Sequence, residues 1–382
     1  MHIIFASRKQ RLLSAEMARS ILCFFFFFLC LLALLHPSYS GAVTRRKRNV
    51  PAMFVFGDSI VDGGNNVFVD PNCTTDTLPY GIDFPTGPTG RFTNGRNPAD
   101  ILSQLLRIPR FLPAAKDPKT TGGMILYGVN YASGGSGILD YPGSLFISLS
   151  KQIKHFQTIT IPDLRTQFNN RQKLSSYLAK SIFVFNSGGN DCAQECSGSV
   201  RKEKCASDEF LESLLANFTH QLKIVYNLGA RKFVLFGVQA NGCNPQNKAT
   251  LLPTEKCRED MNHAAITFNS LLRSSIDGMK KSLQGSNFVF VNTYGIVRNV
   301  FDNPQPYGFK VVNQSCCTIS TGMRGGACVQ GSMPCKHRRT YMYYDGAHLT
   351  QALYRHLVKK AYTSKLRTEV YPFNVAYLAG LP

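Results

Sequence analysis

The chain has 382 residues, 44% hydrophobic and 17% charged, with 31 Gly, 19 Pro and no Trp. That mixture is too apolar for a disordered protein and lacks the composition of a collagen-like or coiled-coil one. Its 43 Lys and Arg against 23 Asp and Glu give a formal net charge of +20, a field that attracts anionic partners: nucleic acid, acidic lipid headgroups or acidic polysaccharide.

Residues 21–35 form an unbroken apolar run of 15 that includes five consecutive phenylalanines. Fifteen apolar residues are short for a bilayer span. Arg19 precedes the run, and Ser38 and Ser40 supply small residues at the −3 and −1 positions of a cleavage site before Gly41, the pattern of a secretory signal peptide over residues 1–40. Met17 to Ser40 would make a conventional signal alone, so the start, Met1 or Met17, stays open. Removing residues 1–40 takes Arg8, Lys9, Arg11 and Arg19 with one acid, Glu16, and lowers the charge from +20 to +17. Residues 41–50 then read as a basic N-terminal tail. Secretion sets nucleic acid and a stable membrane span aside and leaves acidic lipid or acidic polysaccharide, such as that of a cell wall or apoplast, as the anionic partner. Ten cysteines remain beyond the signal, and in an oxidising compartment they read mainly as disulfides. No C-x-x-C pair or matching histidine spacing supports a metal site. Sequons at Asn72, Asn217 and Asn313 are glycosylation candidates.

From about residue 51 to 382 there is neither repeat nor linker, which argues for one domain. Short apolar runs at 53–56, 182–185, Lys232–Phe236 and 288–291 lack polar alternation, as strands buried on both faces do. Between them lie helical patterns. The clearest is 208–228, with Ser207 as N-cap and Gly229 as stop; a second covers 259–283. Alternating strand and helix predicts an α/β fold with a parallel sheet covered on both sides, and a site at the strands' carboxyl ends.

The strand at 53–56 runs into Gly57, Asp58 and Ser59, where a serine hydroxyl projects from a tight turn. No G-x-S-x-G elbow surrounds it, and neither phosphate-loop spacing fits. A serine nucleophile needs a base oriented by a carboxylate. Two D-x-x-H intervals exist, Asp345 with His348 and Asp260 with His263. The second falls inside a predicted amphipathic helix, where residues three apart share a face and commonly make a surface contact; the first follows an aromatic run and precedes Gly346, as a loop at a site would.

Four ordered blocks, FVFGDSIVDGGNN from Phe54, GVNYASGGSGIL from Gly128, SGGND from Ser187 and DGAHLT from Asp345, resemble the plant-type GDSL esterase and lipase family of the SGNH hydrolases. The resemblance spans about residues 51–366, nearly the whole chain beyond the signal. It implies a three-layer α/β/α sandwich, flavodoxin-like, and a serine hydrolase of carboxylic esters with Ser59, Asp345 and His348 as triad and no cofactor or metal. It also implies an oxyanion hole from Ser59 N–H, a glycine N–H and the Asn190 side chain; Gly135 fills the glycine role, with neighbouring Gly134 open beside it. Where the family often has Trp and Pro in the last block, this chain has Tyr344 and Leu349. By the same resemblance Cys243 pairs with Cys257, and Cys316, Cys317, Cys328 and Cys335 make two further bridges of open connectivity. An acyltransferase using the same acyl-enzyme, and a catalytically idle binder of wall polysaccharide, are the alternative readings.

Overall fold

The computed structural model describes residues 50–382 apart from 142–144, 198–204, 250, 253 and 321–325, together with Met17, Arg19, Ser20, Ile21, Phe24 and Phe27. The chain divides into two units, Met1–Lys47 and Arg48–Pro382. The six described residues of the first are helical; otherwise the expected signal peptide and basic tail lie outside the described residues, Val50 excepted. No helix among the described residues is long and apolar enough to cross a membrane.

In the second unit, strands β1 (Met53–Gly57), β2 (Ile182–Asn186), β3 (Lys232–Phe236) and β4 (Asn287–Val291) pair in that order, all parallel. Two short strands, β5 (Val311–Ser315) and β6 (Tyr341–Tyr343), pair separately, and β7 (Val370–Tyr371) closes the main sheet antiparallel to β4. Because side chains alternate across a strand, the apolar runs sort into two faces. One carries the phenylalanines Phe54, Phe56, Phe183, Phe185, Phe233 and Phe288; the other carries Val55, Ile182, Val184, Val234, Val289 and Val291. In-register pairing stacks the rings across neighbouring strands, with centroids 5.1 Å apart for Phe54 and Phe183 and 4.7 Å for Phe233 and Phe288.

Helices Leu149–His155, Arg171–Lys180, Asp208–Asn227 and Glu259–Ser282 cover the phenylalanine face. Pro98–Leu105, Thr293–Asp302, Gln351–Thr363 and Val375–Gly380 cover the aliphatic face. The result is a three-layer α/β/α domain with a mostly parallel sheet. The two helices read from the sequence form within a residue of the anticipated ends: the Ser207 hydroxyl accepts from Phe210 N–H at 3.1 Å, and Gly229 takes φ +116°. The short strands β5, β6 and β7 carry no signal long enough to have been read.

Candidate active site

Three of the parallel strands deliver the site. At the end of β1, Gly57 approaches β2 so closely that a Cβ there would lie 2.1 Å from the Asn186 carbonyl oxygen. The glycine before Ser59 thus serves strand contact, beyond the tight turn read from the sequence. Gln152, which the sequence reading missed, clamps this strand end: its Oε1 accepts from Gly57 N–H and its Nε2 donates to Gly57 O, each at 2.8 Å. A buried glutamine in a helix has no distinguishing spacing, so no sequence signal could have found it.

Asp345 and His348 lie in the loop between β6 and the helix Gln351–Thr363. His348 Nε2 is 2.8 Å from Ser59 Oγ, and His348 Nδ1 is 2.8 Å from Asp345 Oδ2. The Asp345 side chain is 1% exposed and that of His348 14%. Asp345 Oδ1 accepts from the Ala347 and His348 N–H groups at 2.8 and 2.7 Å, and Tyr80 O–H donates to Oδ2 at 2.7 Å. Burial alone would raise the Asp345 pKa, but the His348 charge, these donors and the Tyr80 hydroxyl hold it below the ordinary carboxylate value. Burial opposes protonation of His348, yet the charge of Asp345 and its hydrogen bond, with a contribution from Asp58, carry the imidazole above its ordinary value. The arrangement can take a proton from a serine hydroxyl and hold the imidazolium that results.

Tyr80 is a second residue missed by the sequence reading, 265 residues away in the chain from the carboxylate it touches. Its oxygen also accepts from Cys328 N–H at 3.0 Å. Tyr344, in the position where the family often has Trp, is buried and its hydroxyl donates to Pro79 O. Leu349, in the position where Pro is common, keeps an N–H that donates to Tyr354 Oη at 3.3 Å.

A buried carboxylate ties the segment after Ser59 to the glycine loop. Asp62 accepts from Gly64 and Asn65 N–H at 2.7 and 2.8 Å and from Gly134 N–H at 3.0 Å. Burial pushes Asp62 up to about 6, against those three donors, and pushes Asp58, beside Ser59, up to about 7. Gly134 N–H is therefore occupied. Gly135, at φ +80°, borders the same cavity as Ser59, Asn190 and His348, and a Cβ on it would strike the Phe146 ring at 2.6 Å. Asn190 Nδ2 donates to Ser136 O at 2.8 Å, which ties that amide to the glycine loop. The cavity has a volume of about 640 Å³. Phe92 flanks it, its ring 5.0 Å from that of His348.

The competing pair is not assembled into a site. Asp260 bonds the Arg258 guanidinium, which with a backbone donor holds its pKa low despite burial, and His263 is exposed on the helix. Eight cysteines form bridges, Cys196–Cys205, Cys243–Cys257, Cys316–Cys335 and Cys317–Cys328. Most of the ten are thus disulfides, as the sequence suggested; the other two are free thiols, Cys192 buried in the core and Cys73 3.0 Å from the Thr75 hydroxyl. Among the sequons, Asn72 and Asn217 are exposed and Asn313 is half-buried on β5. Among the described residues no group of three or more His, Cys, Asp or Glu could hold a metal ion.

The sequence pattern described as GDSL-like Lipase/Acylhydrolase matches residues 53–361. One GDSL esterase/lipase of Arabidopsis thaliana is 38% identical over 342 residues, covering 87% of this chain and 90% of its own length. Another from the same plant is 33% identical over 356 residues, covering 92% and 97% respectively. The chain belongs to the GDSL lipase and acylhydrolase family. By that membership it is a carboxylic ester hydrolase.

Proposed function

We propose that the protein is a secreted serine esterase that cleaves carboxylic esters through a covalent acyl-enzyme. The observation that carries this reading is the 2.8 Å approach of His348 Nε2 to Ser59 Oγ, backed by Asp345. His348 takes the Ser59 proton as Oγ attacks the ester carbonyl carbon. Ser59 N–H, Gly135 N–H and the Asn190 amide serve as donors to the developing oxyanion, a contribution of about 3 kcal/mol for one such donor. The carbon–oxygen bond to the alcohol breaks, and His348 returns the proton to the departing oxygen. Water deprotonated by His348 then attacks the acyl-Ser59 carbonyl, the acyl–Oγ bond breaks as His348 returns that proton to Ser59 Oγ, and the acid leaves. Asp345 keeps the imidazole in the tautomer with its Nδ1 protonated and stabilises the imidazolium.

Secretion is supported by the apolar run at residues 21–35 and by four disulfides in the catalytic unit. Acidic wall polysaccharide is the partner that the basic charge favours. A fluorophosphonate tests the chemistry directly: peptide mapping locates the label on Ser59, and the label disappears in His348→Ala. Label on another residue, or unchanged labelling without His348, contradicts the reading.

A further inference from the structure

We infer that a second, basic cavity beside the start of the helix Gln351–Thr363 is an attachment site for a polyuronide, a carbohydrate chain with carboxylates spaced along its sugars. This inference rests on the acidic-polysaccharide reading above, which drew on overall charge alone. It concerns attachment, apart from whatever ester is cleaved over Ser59.

The cavity holds about 920 Å³, more than the 640 Å³ over Ser59. Among the described residues five cations border it, Arg96, Lys336, Arg338, Arg339 and Arg355, against one carboxylate, Asp83. That carboxylate is already taken: Arg338 Nε and Nη2 donate to its two oxygens at 2.7 and 2.9 Å. The other four cations make no ion pair among the described residues. Lys336, Arg339 and Arg355 are exposed, open to a ligand arriving from solvent. Partial desolvation and then the charges of Arg96 and Arg339 hold the Arg355 pKa below its ordinary value. Guanidinium groups from separate segments thus repel one another around one concavity, and a cleft lined by one sign of charge concentrates counter-ions.

The wall between the cations is fixed. Asn94 Oδ1 accepts from Gln351 N–H at 2.9 Å, its Nδ2 donates to Asp83 at 2.7 Å, and Gln351 Oε1 accepts from Arg96 N–H at 2.7 Å. Arg338 Nη1 donates to Cys335 O at 3.1 Å, and Cys335 is bridged to Cys316. A wall set in advance loses little order on binding.

The lining also selects among anions. Among the described residues Ala352 is its one apolar member, and no Phe, Tyr or Trp borders it. Membrane surfaces are held by apolar side chains inserted beside basic ones, and single-stranded nucleic acid by aromatic stacking platforms; the cavity offers neither. One inorganic ion would leave most of the volume and most of the cations unused. A guanidinium fork matches a carboxylate, as Arg338 shows on Asp83, and four unpaired cations on three segments suit carboxylates repeated along a chain.

Calorimetry at low salt measures Kd for de-esterified galacturonate oligomers. In Arg339→Gln with Arg355→Gln, Kd rises about tenfold or more, through lost charge-assisted hydrogen bonds. Lys280→Gln with Lys281→Gln removes the same charge from the exposed end of the helix Glu259–Ser282, on the other side of the sheet, and changes Kd by about twofold at most. Turnover of p-nitrophenyl acetate stays at the parent rate in both pairs. Lys336→Gln with Arg339→Gln gives the same comparison should the first pair melt early. Equal weakening by the cavity and control pairs, or weakening by neither, overturns the site and leaves diffuse charge-driven attachment standing. Tighter binding of inorganic phosphate, or of phosphatidylserine–phosphatidylcholine vesicles, than of the oligomers overturns the ligand class. No binding of the oligomers by the parent overturns both the site and acidic polysaccharide as a partner.

Discussion

At the scale of single residues, the least anticipated contact is Tyr80 on Asp345. Its hydroxyl donates to the carboxylate oxygen that also faces His348 Nδ1, and Tyr80 is buried outside the cavity lining, a position suited to orienting the carboxylate. Tyr80→Phe removes one buried hydrogen bond to a charged group, a change of about 1.5–3 kcal/mol. The expected outcome is a several-fold lower kcat at unchanged KM, with the titration of His348 displaced in the pH–rate profile; an unchanged profile would make Tyr80 merely structural. Asp345→Asn removes the charge that raises the imidazole pKa. The ascending limb of kcat/KM therefore moves to lower pH while kcat falls by about 10⁴, as for other triads with this change.

The buried acids also set a pH dependence of stability. Asp58 and Asp62 titrate at about 7 and about 6 in the fold, above an unfolded value of about 3.9. The native state holds those protons more tightly, so their contribution is full below about pH 4 and lost as pH rises through about 6 to 7. His348, also raised, contributes below about pH 6.5 and loses it as pH rises through its folded pKa. Asp345, held low, acts oppositely, but only at acid pH. The melting temperature should therefore be higher at about pH 5.5 than at about pH 8, with a shallower slope in Asp58→Asn. A melting temperature that rises over that interval contradicts this assignment.

At the scale of elements, the pair β5 and β6 and the loops around it carry the Asp345–His348 loop. Cys317–Cys328 closes a separation of 11 residues there, and Cys328 N–H donates to the Tyr80 hydroxyl. Removing the bridge with Cys317→Ser and Cys328→Ser should cost about 2–4 kcal/mol of stability. It should also lower kcat through Tyr80; denaturant melts and single-substrate kinetics check both. The four long strands and the two long helices were legible in the sequence because each is a run of buried residues with clear period or caps. The candidate triad proposed here was legible because Ser59, Asp345 and His348 follow strands in recognisable strings. Tyr80, Gln152 and the carboxylate clamp of Asp62 were not, since each works through a contact between segments distant in the chain. Of the two glycines left open by the sequence, Gly134 N–H donates to Asp62 and Gly135 borders the cavity.

At the scale of the whole molecule, the three-layer sandwich places the carboxyl ends of β1, β2 and β3 around one cavity, where a parallel sheet puts its ligand. The surrounding field is basic: the chain beyond residue 40 carries +17. Retention on a column of de-esterified polygalacturonate should fall steeply with added salt, since exposed charges are screened over about 8 Å at physiological ionic strength. Ser59→Ala should be retained as strongly as the parent, which separates charge-driven attachment from ester cleavage. Failure to bind at low salt would remove acidic polysaccharide as a partner.

The central claim is nucleophilic attack by Ser59. Its most direct measurement is p-nitrophenyl acetate hydrolysis by disulfide-intact protein beside its Ser59→Ala variant. The account predicts turnover in the parent and a loss of about 10⁴-fold or more in the variant at unchanged melting temperature. Equal hydrolysis by both proteins would contradict it.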